Sequence, residues 1–147
     1  MTIALGCDHG AFELKNIVIN HLKQNGIETI DCGTYNDDSC DYSDYAEKVC
    51  NLVKKGEAGF GILICGTGIG MSMSANKIKG IRCALLSDVF SAKATRSHND
   101  ANVMALGARV VGTGLALEII DAYLGTGFSN EERHQRRIDK VMSLEEK

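Results

Sequence analysis

The chain has 147 residues, a length that one folded domain accounts for. Its formal net charge of −3 argues against a general nucleic-acid binder, because such proteins bind through a basic surface. No apolar stretch approaches the ~20 residues of a membrane-spanning helix, and the N-terminal segment lacks the basic start of a signal peptide. Six cysteines without a Cys-x-x-Cys pair fit neither a zinc site nor a disulfide framework. We therefore expect a cytoplasmic protein with no membrane or nucleic-acid partner.

Short apolar runs alternate with amphipathic stretches along the whole chain. The runs predict five strands, at residues 3–7, 28–32, 60–64, 82–86 and 102–106. Apolar residues at helical spacing predict helices between and after them, beginning near residues 11, 42, 71, 88, 113 and 130. Strands that alternate with helices imply a parallel sheet covered on both faces. The sequence therefore predicts a single doubly wound α/β domain over residues 1–147, closed by a C-terminal helix.

Polar side chains at the predicted helix starts can accept hydrogen bonds from free backbone N–H groups. Caps are predicted at Ser43, at Ser87 or Asp88, at Thr113 and, as a capping box with Glu132, at Ser129. The buried stripe of the fifth helix is predicted to contain Leu115, Ile119, Ile120, Tyr123 and Leu124. The last residues, 144–147, are expected to fray.

The segment Cys65-Gly66-Thr67-Gly68-Ile69-Gly70 follows the third predicted strand and precedes a helix. A glycine-rich turn in this position presents free backbone N–H groups and the positive end of a helix dipole. That field would stabilise a thiolate on Cys65 and an oxyanion beside it. Met71 stands where a dinucleotide fingerprint needs its third glycine, so the turn argues against a nucleotide cofactor. The sequence therefore indicates a base next to an oxyanion site.

Other polar residues stand where chemistry could occur, although each also has an ordinary structural explanation. Asp8 and His9 follow the first strand, where they could cap a helix, and Arg109 follows the fifth, where it could be a surface charge. His98 and Asn99 could form a polar helix end. Arg133 and Arg137 share one helix face, which is more often simply solvated. None of these signals is decisive alone.

Taken in order, however, the motifs form a specific set that spans almost the whole chain. They are Gly6-Cys7-Asp8-His9-Gly10, Asp41-Tyr42, Cys65-Gly66-Thr67-Gly68-Ile69-Gly70, Ala75-Asn76-Lys77, Gly80-Ile81-Arg82, His98-Asn99-Asp100-Ala101-Asn102, Gly107-Ala108-Arg109-Val110-Val111-Gly112 and Arg133-His134-Gln135 with Arg137. With this set the chain resembles the B-type ribose-5-phosphate isomerases. The resemblance implies a Rossmann-like fold with five parallel strands, a homodimer or dimer of dimers, and no metal or nucleotide cofactor.

The resemblance also implies roles for individual residues in a pentose-phosphate-pathway isomerase. Cys65 would move a proton between C1 and C2 of the opened sugar, and Thr67 and the backbone N–H groups of Gly66, Gly68, Ile69 and Gly70 would hold the enediolate oxygens. His98 would open the furanose ring, and Asp8 would handle protons on the substrate oxygens. The phosphate would lie on His9, Arg109, Arg133 and Arg137, with Tyr42 and Asn99 lining the sugar site. The site would lie between two subunits, so the arginines of the last helix would serve the neighbouring chain.

Two departures from the family pattern and two alternative functions remain at this point. The family commonly has Asp-Tyr-Pro where this chain has Asp41-Tyr42-Ser43, which removes a rigid helix start. Some relatives use serine and a nearby glutamate, but residues 66–80 contain no acid, which indicates the thiol branch. One alternative is a hexose 6-phosphate isomerase acting on allose or galactose, although the galactose branch typically lacks the ring-opening histidine. The other is a non-catalytic phosphosugar-binding module, which would have no use for Cys65 or His98.

Overall fold

The computed structural model describes every residue from Met1 to Lys147. Its five strands are β1 (Thr2–Cys7), β2 (Glu28–Asp31), β3 (Phe60–Cys65), β4 (Cys83–Leu85) and β5 (Val103–Gly107). They form one sheet in the order β2-β1-β3-β5-β4, and every pairing is parallel. The predicted five-stranded parallel sheet is confirmed.

Six α-helices cover the sheet: α1 (Phe12–Gln24), α2 (Tyr42–Lys54), α3 (Ile69–Ala75), α4 (Val89–Asn99), α5 (Thr113–Leu124) and α6 (Glu132–Met142). Short 3₁₀ turns at His9–Ala11 and Ser143–Glu146 precede α1 and follow α6. None of the helices has the length and apolar character needed to cross a lipid bilayer.

The core consists of two apolar layers, one on each face of the sheet. Side chains alternate along a strand, so Ile62 and Ile64 of β3 face one layer while Leu63 and Cys65 face the other. The first layer contains 19 buried residues and includes those of α1 and α5. The second contains 13 and includes those of α2 and α3. Burial on both faces confirms the doubly wound, Rossmann-like α/β architecture.

Strands β1 and β3 are neighbours at the centre of the sheet, where the strand order changes direction. In open parallel sheets, ligands bind outside the carboxyl ends of the strands at such a point. Asp8 directly follows β1, and Cys65 is the last residue of β3. The fold therefore brings two of the predicted site residues to the position where this architecture binds ligands.

The predicted helix caps have mixed outcomes. Asp88 is confirmed, since its carboxylate accepts a hydrogen bond from the Ser91 N–H at 2.7 Å. Caps at Ser43 and Thr113 are wrong, because both residues lie inside their helices and neither helix start has a side-chain hydrogen bond. The capping box at Ser129 is also wrong: α6 begins at Glu132, and the Ser129 hydroxyl contacts the His134 ring instead.

Two further local predictions fail at the surface of the C-terminal half. Leu115 is 40% exposed, and Ala116 takes the buried position on α5 in its place. The chain end does not fray but docks on the loop before β4. There Glu145 accepts a hydrogen bond from the Gly80 N–H at 2.9 Å, and Glu146 pairs with Lys79.

Candidate active site

Cys65 is buried at the end of β3 and is held by the turn that follows it. Its Sγ accepts a hydrogen bond from the backbone N–H of Gly68 at 3.0 Å. Gly68 has φ +76°, and a Cβ there would lie 2.8 Å from the Leu106 carbonyl carbon, so only glycine fits this bend. An N–H directed at the sulfur stabilises negative charge on it. The turn thus supplies both the shape and the field for a thiolate.

The remaining backbone N–H groups of the turn divide into engaged and free donors. Two N–H groups are engaged. That of Gly68 donates to Cys65 Sγ, and that of Ile69 donates to Thr67 Oγ1 at 3.3 Å. The N–H groups of Gly66, Thr67 and Gly70 have no acceptor within the protein. Three amides, rather than all five of the turn, are therefore available to an oxyanion.

A carboxylate, a guanidinium and one of these free amides converge beside Gly10. From the position that a Cβ on Gly10 would occupy, Asp8 Oδ1 lies at 3.3 Å, and Arg109 Nη2 and Gly66 N both lie at 3.6 Å. Asp8 is 8% exposed and accepts a hydrogen bond from the Gly10 N–H at 2.9 Å. Arg109 is exposed and has no carboxylate partner. Its charge is therefore free for an anionic ligand.

His9 and Tyr42 lie at the same edge of the sheet. His9 Nδ1 accepts a hydrogen bond from the Cys40 N–H at 3.3 Å, which leaves the neutral ring with its proton on Nε2 as a donor. The Tyr42 ring packs over Gly70, where a Cβ would lie 2.7 Å from the Tyr42 Cζ. We call this group the reactive edge; it comprises Asp8, His9, Tyr42, the turn from Cys65 to Gly70, and Arg109.

The other four predicted site residues lie at the opposite edge of the sheet, which we call the basic edge: His98, Asn99, Arg133 and Arg137. Asn99 ends α4 just before β5 begins, and its carbonyl accepts a hydrogen bond from Arg82 Nε at 3.0 Å. Val103 pairs with Gly61 and Gly107 with Cys65, so β5 spans about 13 Å between the two edges. One chain therefore does not bring His98 to Cys65.

The basic edge is exposed and only partly neutralised. Arg133 Nε lies 2.6 Å from Glu131 Oε2, and this hydrogen bond lowers the pKa of the Glu131 carboxyl. Arg137 has no carboxylate partner and lines, together with Asn99, a cavity of about 670 Å³. His98 is exposed and its ring stacks on that of His134. Free positive charge is thus present at both edges.

The other buried thiols differ from Cys65, whose sulfur accepts a backbone N–H of the glycine turn. Burial raises the pKa of Cys7 to about 11 and that of Cys50 to about 12, and it also raises the pKa of Cys32 and Cys83. These side chains are neutral at physiological pH, and all six cysteines are free. No group of three or more His, Cys, Asp or Glu side chains is placed to hold a metal ion.

Sequence reasoning missed Lys15, which supports the start of the loop that carries Cys40 and leads to Tyr42. Lys15 is completely buried, and its ammonium donates to Asp31 Oδ1 at 2.6 Å and to the Thr34 carbonyl at 2.7 Å. The available signal was a lysine at a buried helical position, next to Leu14 on α1.

At the switch point the structure combines a buried thiol on a glycine turn, a neighbouring carboxylate and the unpaired Arg109. These features are those of an α/β enzyme that moves protons on an anionic small molecule. The family model described as Ribose/Galactose Isomerase matches residues 3–141. The chain belongs to this family, which confirms the resemblance noted in the sequence.

Individual relatives agree along nearly their whole length. Ribose-5-phosphate isomerase B of Escherichia coli K12 is 47% identical over 145 residues, which cover 99% of this chain and 97% of that protein. The solved structure of ribose-5-phosphate isomerase B from Clostridium thermocellum matches with a TM-score of 0.97 and 46% identity, covering 99% and 98% of the two chains. That of Mycoplasma genitalium, with bound ribulose-5-phosphate, matches with a TM-score of 0.94 and 40% identity, covering 99% and 97%.

Proposed function

We propose that the chain interconverts ribose 5-phosphate and ribulose 5-phosphate through a cis-enediolate, as a step of the pentose phosphate pathway. The observation that carries the proposal is the Cys65 sulfur, held by the Gly68 N–H at 3.0 Å beside Asp8 and free backbone amides. The named relatives support the substrate, and one of them was solved with ribulose-5-phosphate bound.

The isomerisation needs a base, a charge stabiliser and a proton shuttle between oxygens. The Cys65 thiolate removes the C2 proton of the open aldose, and the electron pair forms the C1–C2 double bond as O1 becomes negative. The free N–H groups of Gly66, Thr67 and Gly70 stabilise this oxyanion; one such donor is worth about 3 kcal/mol in related sites. Asp8 transfers the hydroxyl proton from O2 to O1, and the Cys65 thiol returns its proton to C1, which leaves a ketone at C2.

Ribose 5-phosphate is a closed furanose in solution and must be opened first. His98 donates a proton to the ring oxygen O4 while Asp8 removes the proton from the hydroxyl on C1. The C1–O4 bond then breaks to give an aldehyde and a C4 hydroxyl. Ribulose 5-phosphate has no ring to open, because its C5 oxygen is esterified and cannot close on C2. The two substrates therefore separate the role of His98 from that of Cys65.

The phosphate is bound by charged and N–H donors from both edges. His9 Nε2 and the unpaired Arg109 supply donors at the reactive edge, and Arg133 and Arg137 supply guanidinium groups at the basic edge. Guanidinium groups form short, charge-assisted hydrogen bonds with a phosphate dianion. Tyr42 and Asn99 line the sugar. An acidic protein thus holds an anion through local positive charge.

We infer that a second copy of the chain joins the two edges, in a homodimer that can pair into a dimer of dimers. Exposed apolar side chains flank the reactive turn: Ile69 is 51% exposed, Met73 63%, Leu85 45% and Phe90 80%. Leu85 lies against Gly68 in the turn itself. Apolar patches of this kind mark protein interfaces. A twofold axis beside this patch brings the basic edge of one subunit to the reactive edge of the other.

Substrate assays on the purified enzyme test the proposal. We expect turnover of ribose 5-phosphate to exceed that of allose 6-phosphate and galactose 6-phosphate, because His98 is present for the furanose ring. Preference for a hexose phosphate would assign the chain to the hexose branch. Binding of all three sugars without turnover would indicate a non-catalytic module.

The six free thiols fit a reducing compartment, and we place the protein in the cytoplasm.

A second assay isolates the carbon–hydrogen chemistry. Incubation of ribulose 5-phosphate in D2O should place deuterium on C1, because the enediolate forms and reprotonates without any ring opening. In a His98→Asn variant this exchange should continue at the wild-type rate, while turnover of ribose 5-phosphate falls about 100-fold. Equal loss of both rates would contradict the ring-opening role of His98.

A further inference from the structure

The mechanism above gives no role to His134, a histidine that lies beside the basic edge. His134 is 4% exposed on α6, and its ring lies against the exposed ring of His98 on α4. The ring centroids are 4.4 Å apart and the planes are inclined by 37°. A buried ring in this position limits the orientations that the exposed His98 ring can adopt.

Ser129, which does not cap α6, contacts both the His134 ring and the backbone next to His98. The Ser129 hydroxyl hydrogen bonds His134 Nδ1 at 2.7 Å and accepts the Glu131 N–H at 3.2 Å. The backbone N–H of Ser129 donates to the carbonyl of Ser97, the residue before His98, at 3.0 Å. Ser129 therefore connects the backbone that carries His98 to the ring that packs on it.

The charges around the pair favour a neutral His134. Desolvation lowers the pKa of His134, and repulsion by a protonated His98 lowers it further. Glu131 opposes this shift, while Arg133 and Arg137 on α6 reinforce it. Two stacked imidazoles avoid being protonated together, because like charges in contact repel. The exposed ring of His98 is the one open to substrate.

We propose that His134 is a positioning residue for His98, which orients the His98 ring through stacking. This inference rests on the proposed function, in which His98 donates a proton to the ring oxygen of ribose 5-phosphate. His134 itself touches no reacting atom. Its removal should therefore affect ring opening and leave the chemistry at C1 and C2 unchanged.

The direct test compares the two rates that ring opening separates. We expect His134→Ala to slow turnover of ribose 5-phosphate about tenfold while deuterium exchange into ribulose 5-phosphate stays within about twofold of wild type. His134→Phe retains a stacking ring and should recover most of the lost turnover. A fall of both rates together in His134→Ala, or no change in either, would overturn the proposal.

A double-substitution cycle distinguishes positioning from a general structural role. If His134 acts through His98, adding His134→Ala to His98→Asn should lower turnover of ribose 5-phosphate no further. A further tenfold loss in the double variant would contradict the proposal. Absence of exchange in the wild-type protein would instead contradict the proposed function, so the two failures are distinguishable.

A milder variant covers the case in which His134→Ala does not fold. Ser129→Ala keeps both rings and removes only the hydroxyl that holds His134. We expect turnover of ribose 5-phosphate to fall about threefold with exchange unchanged, since the stack persists but is less restrained. Wild-type turnover in this variant, together with an unchanged His134 ring signal in NMR spectra, would argue against the positioning network.

Discussion

The two edges of the sheet are built in different ways. At the reactive edge the two residues proposed to move protons are buried and fixed by the backbone: Cys65 is 4% exposed and Asp8 8%, and each accepts a main-chain N–H. At the basic edge His98, Arg133 and Arg137 are exposed side chains on helices. Carbon acid chemistry needs a rigid, water-poor environment, whereas a phosphate needs only accessible charge. The difference supports the proposal that proton transfer at carbon occurs at the reactive edge, while ring opening and part of the phosphate binding belong to the basic edge.

The same contrast supports the proposed dimer. A group at the basic edge is separated from Cys65 by the length of β5. The exposed apolar side chains beside the reactive turn supply a surface that a second copy would bury. The following predictions test this division, from the largest expected effect to the smallest.

Removal of the thiol should have the largest effect. In Cys65→Ala we expect turnover of ribose 5-phosphate and deuterium exchange into ribulose 5-phosphate both to fall by at least ~10³-fold, because general base catalysis is lost. Substrate binding, measured by calorimetry, should persist. The matched control is Cys50→Ala, a buried thiol of the same apolar layer, which should retain activity. Retained exchange in Cys65→Ala would remove Cys65 as the base.

Loss of an anchoring arginine should weaken binding rather than chemistry. In Arg137→Ala we expect KM for ribose 5-phosphate to rise about 10- to 100-fold with a smaller change in kcat, since a charge-assisted hydrogen bond is worth about 1.5–3 kcal/mol. Arg136→Ala removes an exposed neighbour of the same charge and should change KM little. Equal effects of the two substitutions would indicate nonspecific attraction of the anion.

The buried lysine should matter for stability at the reactive edge. Lys15→Met removes the cation paired with Asp31, which keeps only the Gly33 N–H on its Oδ1, and leaves the Thr34 carbonyl without the ammonium donor. We therefore expect a loss of about 1–3 kcal/mol in the free energy of unfolding. Urea denaturation measures this loss. Lys23→Met, an exposed lysine of the same helix, is the control and should change stability little. A Lys15→Met protein as stable as wild type would show that the buried ion pair is dispensable.

The basic edge should be the more acid-sensitive of the two. The pKa of His134 is lowered in the folded protein, so between its folded and unfolded values the unfolded chain binds a proton that the folded chain does not. Stability is therefore full above pH ~6.5 and declines as the pH falls below it. Comparing urea denaturation at pH 7.5 and 5.5 should show a smaller decline in His134→Phe than in wild type. An equal decline in both proteins would contradict this assignment.

Much of the site could be predicted because strand ends and glycine turns are local features. Asp8 and Cys65 lie at the carboxyl ends of neighbouring strands, since both come at the end of apolar runs that pair in parallel. Helix caps were less predictable, because a hydroxyl has several possible partners. Ser129 bonds the His134 ring on α6, and its backbone N–H donates to the Ser97 carbonyl on α4. Local sequence cannot specify such a contact.

Two buried cationic side chains also have partners that local sequence does not specify. Lys15 on α1 and Arg96 on α4 carry charges, yet both are buried and each pairs with a carboxylate. Their partners, Asp31 for one and Asp100 for the other, are recognisable only once β2 and the α4 end are in place. Arg96 also packs over the Phe60 ring at 4.4 Å. The pairing depends on tertiary structure, which a single sequence does not reveal.

Mixing two inactive variants tests most directly whether the two edges meet between subunits. Cys65→Ala and His98→Asn chains should be unfolded together, refolded and assayed on ribose 5-phosphate, with native mass spectrometry confirming mixed dimers. Half of the dimers are then mixed, and each has one site with both residues intact, so we expect about one quarter of wild-type turnover. Turnover no higher than that of the separate variants, with mixed dimers present, would contradict a site shared between two chains.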